Sequence, residues 1–127
     1  DITRQFNARD GIGIKLLQKN NIIVAFISGG EGKSTLERAK MLGVRNCLIN
    51  IQNKQIALRV LQNKLNILPS NTAFVGDDVN DLVVKEDVSL LIGTKDSSPQ
   101  FSIYADLLLK SCGGLGTARE MSDRILT

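Results

Sequence analysis

The amino-acid sequence predicts an α/β fold, a parallel sheet with helices on both faces, and three observations carry that expectation. Short apolar runs rich in branched residues alternate along the chain with segments of helical periodicity, the signature of repeated strand–helix units. The runs are continuously apolar, as in strands covered on both faces. Polar groups suited to chemistry directly follow several of these runs, where ligands sit in open parallel sheets. At 127 residues, without repeats or low-complexity stretches, the chain reads as one domain, 1–127.

The elements follow in order. Ile2 to Asn7 alternates weakly and predicts an edge strand, and Arg9-Asp10-Gly11 reads as a turn. Ile12 to Lys19 carries Ile12, Leu16 and Leu17 at helical spacing. Ile22 to Ile27 is a buried strand closed by Ser28-Gly29-Gly30. Lys33 to Leu42 is a helix with Leu36, Ala39 and Leu42 on one face and Gly43 as its stop. Asn46 to Asn50 is a short strand. Lys54 to Leu65 is a helix built on Leu58, Leu61 and Leu65, and Pro69-Ser70-Asn71 breaks the chain before the strand Thr72 to Gly76. Asn80 to Lys85 predicts a short helix, Val88 to Ile92 a strand, Ser98 to Tyr104 one or two helical turns, and Asp106 to Leu109 a last strand. Gly113 to Gly116 is a loop before a closing helix, Thr117 to Leu126.

Composition excludes several functions. The hydrophobic share is 43%, the charged share 23% and the net charge +3, with the basic residues scattered. No basic run marks a nucleic-acid tail, and at 4% aromatic residues a stacking platform is not expected. The chain has no histidine, which removes imidazole acid–base chemistry and most zinc sites. Cys47 and Cys112 are expected as small core residues in a reducing, cytoplasmic setting. No run is long enough to span a bilayer. The chain opens at Asp1, inside a strand-like stretch, so a segment upstream is expected.

The strongest chemical signal is Gly76-Asp77-Asp78-Val79-Asn80-Asp81, just past an apolar strand. Three carboxylates so close together repel unless a cation joins them, and hard oxygen donors suit Mg²⁺. If the following segment is helical, Asp77 and Asp81 can face one point. Ser28 and Gly29 follow another strand and offer a hydroxyl and backbone N–H groups to an anion. Lys54 follows a third and could neutralise phosphate charge. Gly30 to Thr35 imitates a nucleotide-binding P-loop, but that motif requires a glycine where Ile27 stands. Three strand ends would thus feed one crevice with groups suited to phosphoryl transfer.

This set resembles the haloacid-dehalogenase-like (HAD-like) phosphatases, with Ser28 as second motif, Lys54 as third and Gly76 to Asp81 as fourth. More narrowly, Phe6 to Gly13 and Gly113 to Glu120 are similar to segments of the 3-deoxy-manno-octulosonate 8-phosphate phosphatase branch. The resemblance implies a three-layer Rossmann-like sheet without a large cap domain. It also implies Mg²⁺-dependent hydrolysis of a sugar-acid phosphate monoester through an aspartyl-phosphate, in a cytoplasmic homotetramer. It places the metal at Asp77, with Asp78 and Asp81 completing or supporting the shell and Asp81 also a candidate to orient Lys54, the phosphate at Ser28, Gly29 and Lys54, and the sugar-acid carboxylate or the phosphate at Arg9 and Arg119. The family's first motif, Asp-x-Asp on the first strand, is absent from the chain and is expected upstream of Asp1. Two other readings stand beside this one: a non-catalytic relative used for oligomerisation, and a P-loop nucleotide binder.

Overall fold

Two of the long helices in this chain end on a residue in the left-handed conformation. The structure, a computed structural model, describes residues 8–111 and 117–126. The first half runs α1 (Ala8–Lys19), β1 (Ala25–Ile27), α2 (Lys33–Leu42), β2 (Asn46–Leu48) and α3 (Lys54–Leu65). A 3₁₀ turn, Pro69–Asn71, leads to β3 (Ala73–Gly76), and 3₁₀ turns over Val79–Asp87 lead to β4 (Leu90–Gly93). The chain closes with α4 (Pro99–Ser102), β5 (Leu107–Leu108) and α5 (Thr117–Leu126). α2 stops at Gly43, whose φ of 69° suits glycine, and α3 stops at Asn66 with φ 57°. α3 starts at Asn53, whose side-chain oxygen accepts from the N–H of Ile56 at 3.2 Å.

All strand pairs are parallel. β1 pairs with β2, and β4 lies between β3 and β5. The described strands therefore form two ladders, and β1 and β3 each have one edge unpaired among the described residues. Apolar packing joins the two ladders. One cluster gathers Ile14, Ala39, Leu42 and Val44 against Phe26 and Cys47. The other gathers Leu58, Val84, Leu91 and Phe101 against Ile27 and Phe74. Phe26 and Ile27 are neighbours in β1 yet join opposite clusters, as strand side chains must. So α1 and α2 cover one face and α3 and α4 the other, the three-layer arrangement that the sequence predicts. Leu91 and Phe101 are fully buried, which stabilises the fold by roughly 1.5–3 kcal/mol each.

Several expectations need correcting. Arg9-Asp10-Gly11 is not a turn but part of α1. A Cβ at Gly11 would stand 2.7 Å from the Arg38 guanidinium, the movable end of a long side chain. The strand expected over 22–27 pairs only over Ala25–Ile27, because its sole ladder partner among the described residues, β2, is three residues long. The helix expected over 80–85 is 3₁₀ rather than α. The strand expected over 106–109 is regular only over Leu107–Leu108, although backbone bonds to β4 run past both ends, from the Asp106 N–H to the Leu91 carbonyl at 2.7 Å and from the Leu109 N–H to the Gly93 carbonyl at 2.8 Å. The expected edge strand 2–7, the loop 113–116 and Cys112 lie outside the described residues. Cys47 is half-buried, and its thiol points at the Thr35 carbonyl at 3.9 Å. No helix among the described residues is long and apolar enough to cross a membrane.

Candidate active site

The loop after β3 is organised around one buried carboxylate. Asp81, almost fully buried, accepts from the Lys54 ammonium through Oδ1 at 2.6 Å. Its Oδ2 accepts from the N–H groups of Asp77 at 3.0 Å and Asp78 at 3.3 Å. A buried charge needs this kind of complete satisfaction. The local sequence supplies the geometry. Asp78 caps the 3₁₀ turns through a 2.7 Å bond from the Val79 N–H, and with Asp81 it forms a reciprocal capping box. Gly76 gives Asp81 room, since a Cβ at 76 would lie 2.7 Å from the Asp81 Cβ and 2.9 Å from its Oδ2.

The Lys54–Asp81 pair links the first residue of α3 to the turns after β3, so it ties the β1–β2 ladder to the β3–β4–β5 ladder. Lys54 remains 24% exposed along its side chain, against 3% for Asp81. The ammonium is thus anchored on its protein side and open on the other.

Ser28 is buried directly after β1. Its N–H donates to the Leu48 carbonyl at 2.8 Å, and its own carbonyl accepts from the Ile51 N–H at 3.0 Å. The Asn50 N–H donates to the Gly30 carbonyl at 2.8 Å, so the loops following β1 and β2 are zipped together and Ser28 is fixed beside the segment leading to Lys54. Gly29 belongs to the same junction; a Cβ there would meet the Ile51 carbonyl at 3.3 Å. The Ser28 hydroxyl oxygen accepts from the Gly30 N–H at 3.3 Å, and its hydrogen is left to serve as a donor.

Asp77 and Asp78 are exposed. The spacing suggested that Asp77 and Asp81 could face one cation, but Asp81 turns to Lys54 and the backbone instead. Among the described residues no three acidic or sulfur side chains are grouped to hold a metal. A magnesium ion usually takes only one or two carboxylates and completes its shell with water and phosphate. Asp77, with Asp78 beside it, fits that requirement.

Of the two arginines predicted to meet substrate, Arg119 lies on α5, and its Nε donates to Asp123 at 3.1 Å. Arg9 lies in α1, and its side chain is outside the described set. The P-loop-like stretch does not build a phosphate cradle: Ile27 is in β1, and Gly32, at φ 63°, packs against Ile49.

Sequence reasoning missed the loop after β4. The Ser98 N–H donates to the Asp77 carbonyl at 2.7 Å, and the Lys95 N–H donates to the Ser111 carbonyl at 2.9 Å. That loop thereby braces the aspartate loop on one side and the end of β5 on the other. Its Gly-Thr-Lys-Asp-Ser-Ser sequence held a turn signal but none for these partners. Glu120 was quoted only within the C-terminal segment. Burial works against its charge, yet the N–H of Lys110, the hydroxyl and N–H of Ser111 and the Arg124 guanidinium together bring its carboxyl down to about 2. This carboxylate fastens α5 to the end of β5.

Comparison with known proteins agrees with the geometry. None of the known protein-family profiles matches the chain. The 3-deoxy-D-manno-octulosonate 8-phosphate phosphatase of Escherichia coli K12 is 38% identical over 123 residues, 97% of this chain and 65% of that protein. The chain thus spans 65% of the length of the first curated relatives it matches. The Moraxella catarrhalis phosphatase of the same name, crystallised with magnesium, phosphate and KDO, superposes with a TM-score of 0.92 at 32% identity, covering 98% of this chain and 71% of that one. The cobalt-bound Haemophilus influenzae phosphatase gives 0.93 at 31% identity, covering 98% and 73%. With this identity, coverage and fold, the chain belongs to the 3-deoxy-D-manno-octulosonate 8-phosphate phosphatase family of HAD-like proteins.

Proposed function

We propose that the protein containing this chain is a Mg²⁺-dependent phosphatase hydrolysing a sugar-acid phosphate monoester of the 3-deoxy-octulosonate 8-phosphate kind. The observation that carries the reading is the 2.6 Å Lys54–Asp81 pair, with Asp81 also holding the backbone N–H groups of Asp77 and Asp78. It supports a role for Lys54 as a fixed positive charge beside the Asp77 carboxylate. The magnesium seen in the Moraxella relative motivates the metal assignment here, with Asp77 as the direct ligand and Asp78 in support. Bound there, Mg²⁺ neutralises charge on the phosphoryl oxygens.

The chain's own residues position and stabilise. Lys54 balances the charge between an attacking carboxylate and the phosphoryl group, an interaction on the order of 4 kcal/mol at 4 Å for a partly screened site. Ser28 donates its hydroxyl hydrogen to a phosphoryl oxygen, and the Gly29 N–H adds a second donor. Asp81 keeps Lys54 from drifting. The nucleophile in this proposal is an aspartate on a further strand seated between the unpaired edges of β1 and β3. Its carboxylate oxygen forms a bond to phosphorus as the ester oxygen leaves with a proton from the second aspartate of the same Asp-x-Asp motif; water then gives a proton back to that aspartate and cleaves the aspartyl-phosphate, releasing inorganic phosphate. The family resemblance adds a cytoplasmic homotetramer whose neighbouring subunits complete the pocket, with Arg9 and Arg119 as candidate cations for the sugar acid or the phosphate.

The test is a phosphate-ester panel on the full-length protein. Turnover should require Mg²⁺, stop with chelator and return on adding the metal back. Asp77→Asn should lower kcat by roughly a hundredfold or more. Chelator-insensitive turnover, or near-normal turnover by Asp77→Asn, would overturn the metal assignment. Inactivity of the full-length protein on every ester would leave the non-catalytic oligomerisation role.

A further inference from the structure

We propose that Lys95 is a specificity-determining residue: its ammonium receives the carboxylate of the substrate, away from the phosphate. This inference rests on the phosphatase reading for the location of the reacting end and adds a contact for the opposite end.

The argument begins with the backbone. β4 ends at Gly93, and the residues after it are held from both sides. The Lys95 N–H bonds to the Ser111 carbonyl at 2.9 Å, next to the end of β5. Three residues on, the Ser98 N–H bonds to the Asp77 carbonyl at 2.7 Å. Three residues span at most about 11 Å, so Lys95 sits on the rim of the candidate site at a distance a sugar-acid chain can bridge. The loop between is braced internally. Thr94 is buried, and its hydroxyl donates to Asp96 at 2.8 Å. The Ser97 hydroxyl donates to the Thr94 carbonyl at 2.7 Å and lies 2.9 Å from the Ser102 hydroxyl.

The side chain is the part left over. Lys95 is exposed, and among the described residues no carboxylate lies within ion-pair distance of its ammonium. Lys54 is held by Asp81 at 2.6 Å and serves the phosphate end, and the Arg119 Nε donates to Asp123 on its own helix. A lysine with a fixed backbone and an ammonium unpaired among the described residues, next to the aspartate loop, can take an anionic group that the phosphate site does not bind. A sugar acid has one such group.

The experiment compares two esters on the full-length protein: a sugar-acid phosphate with a carboxylate remote from the phosphate, and p-nitrophenyl phosphate, which has none. Lys95→Met should raise KM for the first about tenfold, as expected for loss of one charge-assisted contact, with kcat preserved. It should leave both constants for p-nitrophenyl phosphate unchanged, and Lys95→Arg should restore most of the loss. An equal effect on both esters, or none on either, overturns the proposal. If the wild type hydrolyses neither ester, the phosphatase reading fails. The carboxylate contact is then read by titration calorimetry with the unphosphorylated sugar acid. Weaker binding by Lys95→Met supports it, and equal affinity, or no binding by the wild type, overturns it.

Discussion

Replacing Lys54 by methionine would strip the counter-ion from a carboxylate that is only 3% exposed. Breaking a buried pair from one side destabilises by about 3–5 kcal/mol, because the remaining charge stays buried. Asp81 keeps its two backbone donors at 3.0 and 3.3 Å, which places the expected loss near the lower end, about 3 kcal/mol. Asp81→Asn should cost less, about 2 kcal/mol. The ammonium it leaves behind is already 24% exposed and can turn to water, while the asparagine oxygen still accepts a backbone N–H. At roughly 3–4 °C per kcal/mol for a chain of this size, the melting temperature should fall by about 10 °C and about 7 °C respectively. The double variant should be milder than the sum by about 1–2 kcal/mol. Far-UV circular dichroism is the suitable probe, since the chain has no tryptophan. Additivity within about 0.5 kcal/mol, or a larger loss in Asp81→Asn than in Lys54→Met, would refute the claim that a buried ion pair latches this site.

Further variants test the surrounding structure. Gly76→Ala places a Cβ 2.7 Å from that of Asp81 and should destabilise by about 1–3 kcal/mol; an unchanged melting temperature would remove the close-approach argument. Asn53→Ala deletes the 3.2 Å cap of α3 and should cost about 1 kcal/mol in chemical denaturation. For Glu120 the folded value of about 2 lies below the ordinary 4.5. Its stabilisation is therefore full above the unfolded value and fades as pH drops through about 2. Glu120→Gln should be less stable at neutral pH and lose less stability across that acid window. Parallel pH–stability curves for wild type and variant would contradict this.

The helices were the most legible part of the sequence. α2, α3 and α5 have the predicted limits because strong local signals end or begin them: Gly43 accepts a left-handed backbone, and Asn66 and Pro69 stop α3. Strand lengths were less legible, since pairing depends on a partner distant in sequence. Ile22 to Val24 is as apolar as the rest of its run, yet no ladder among the described residues pairs it. Gly11 misled because glycine reads as a turn signal, yet here it lies inside α1. At the site, residue types and order identified Ser28, Lys54 and Asp77–Asp81 as one group. The sequence did not say which carboxylate would be buried. That follows from Lys54 meeting Asp81 across 27 positions, a tertiary contact. The bracing of Asp77 by Ser98 is likewise a contact between loops, which no periodicity foretells.

Each ladder is made of strands that follow one another along the chain, β1 then β2, and β3 then β4 then β5. Folding can therefore start separately in two short stretches with little loop entropy to overcome, and their docking comes last. On that order, pulse-labelled ladder amides within each stretch should gain protection together.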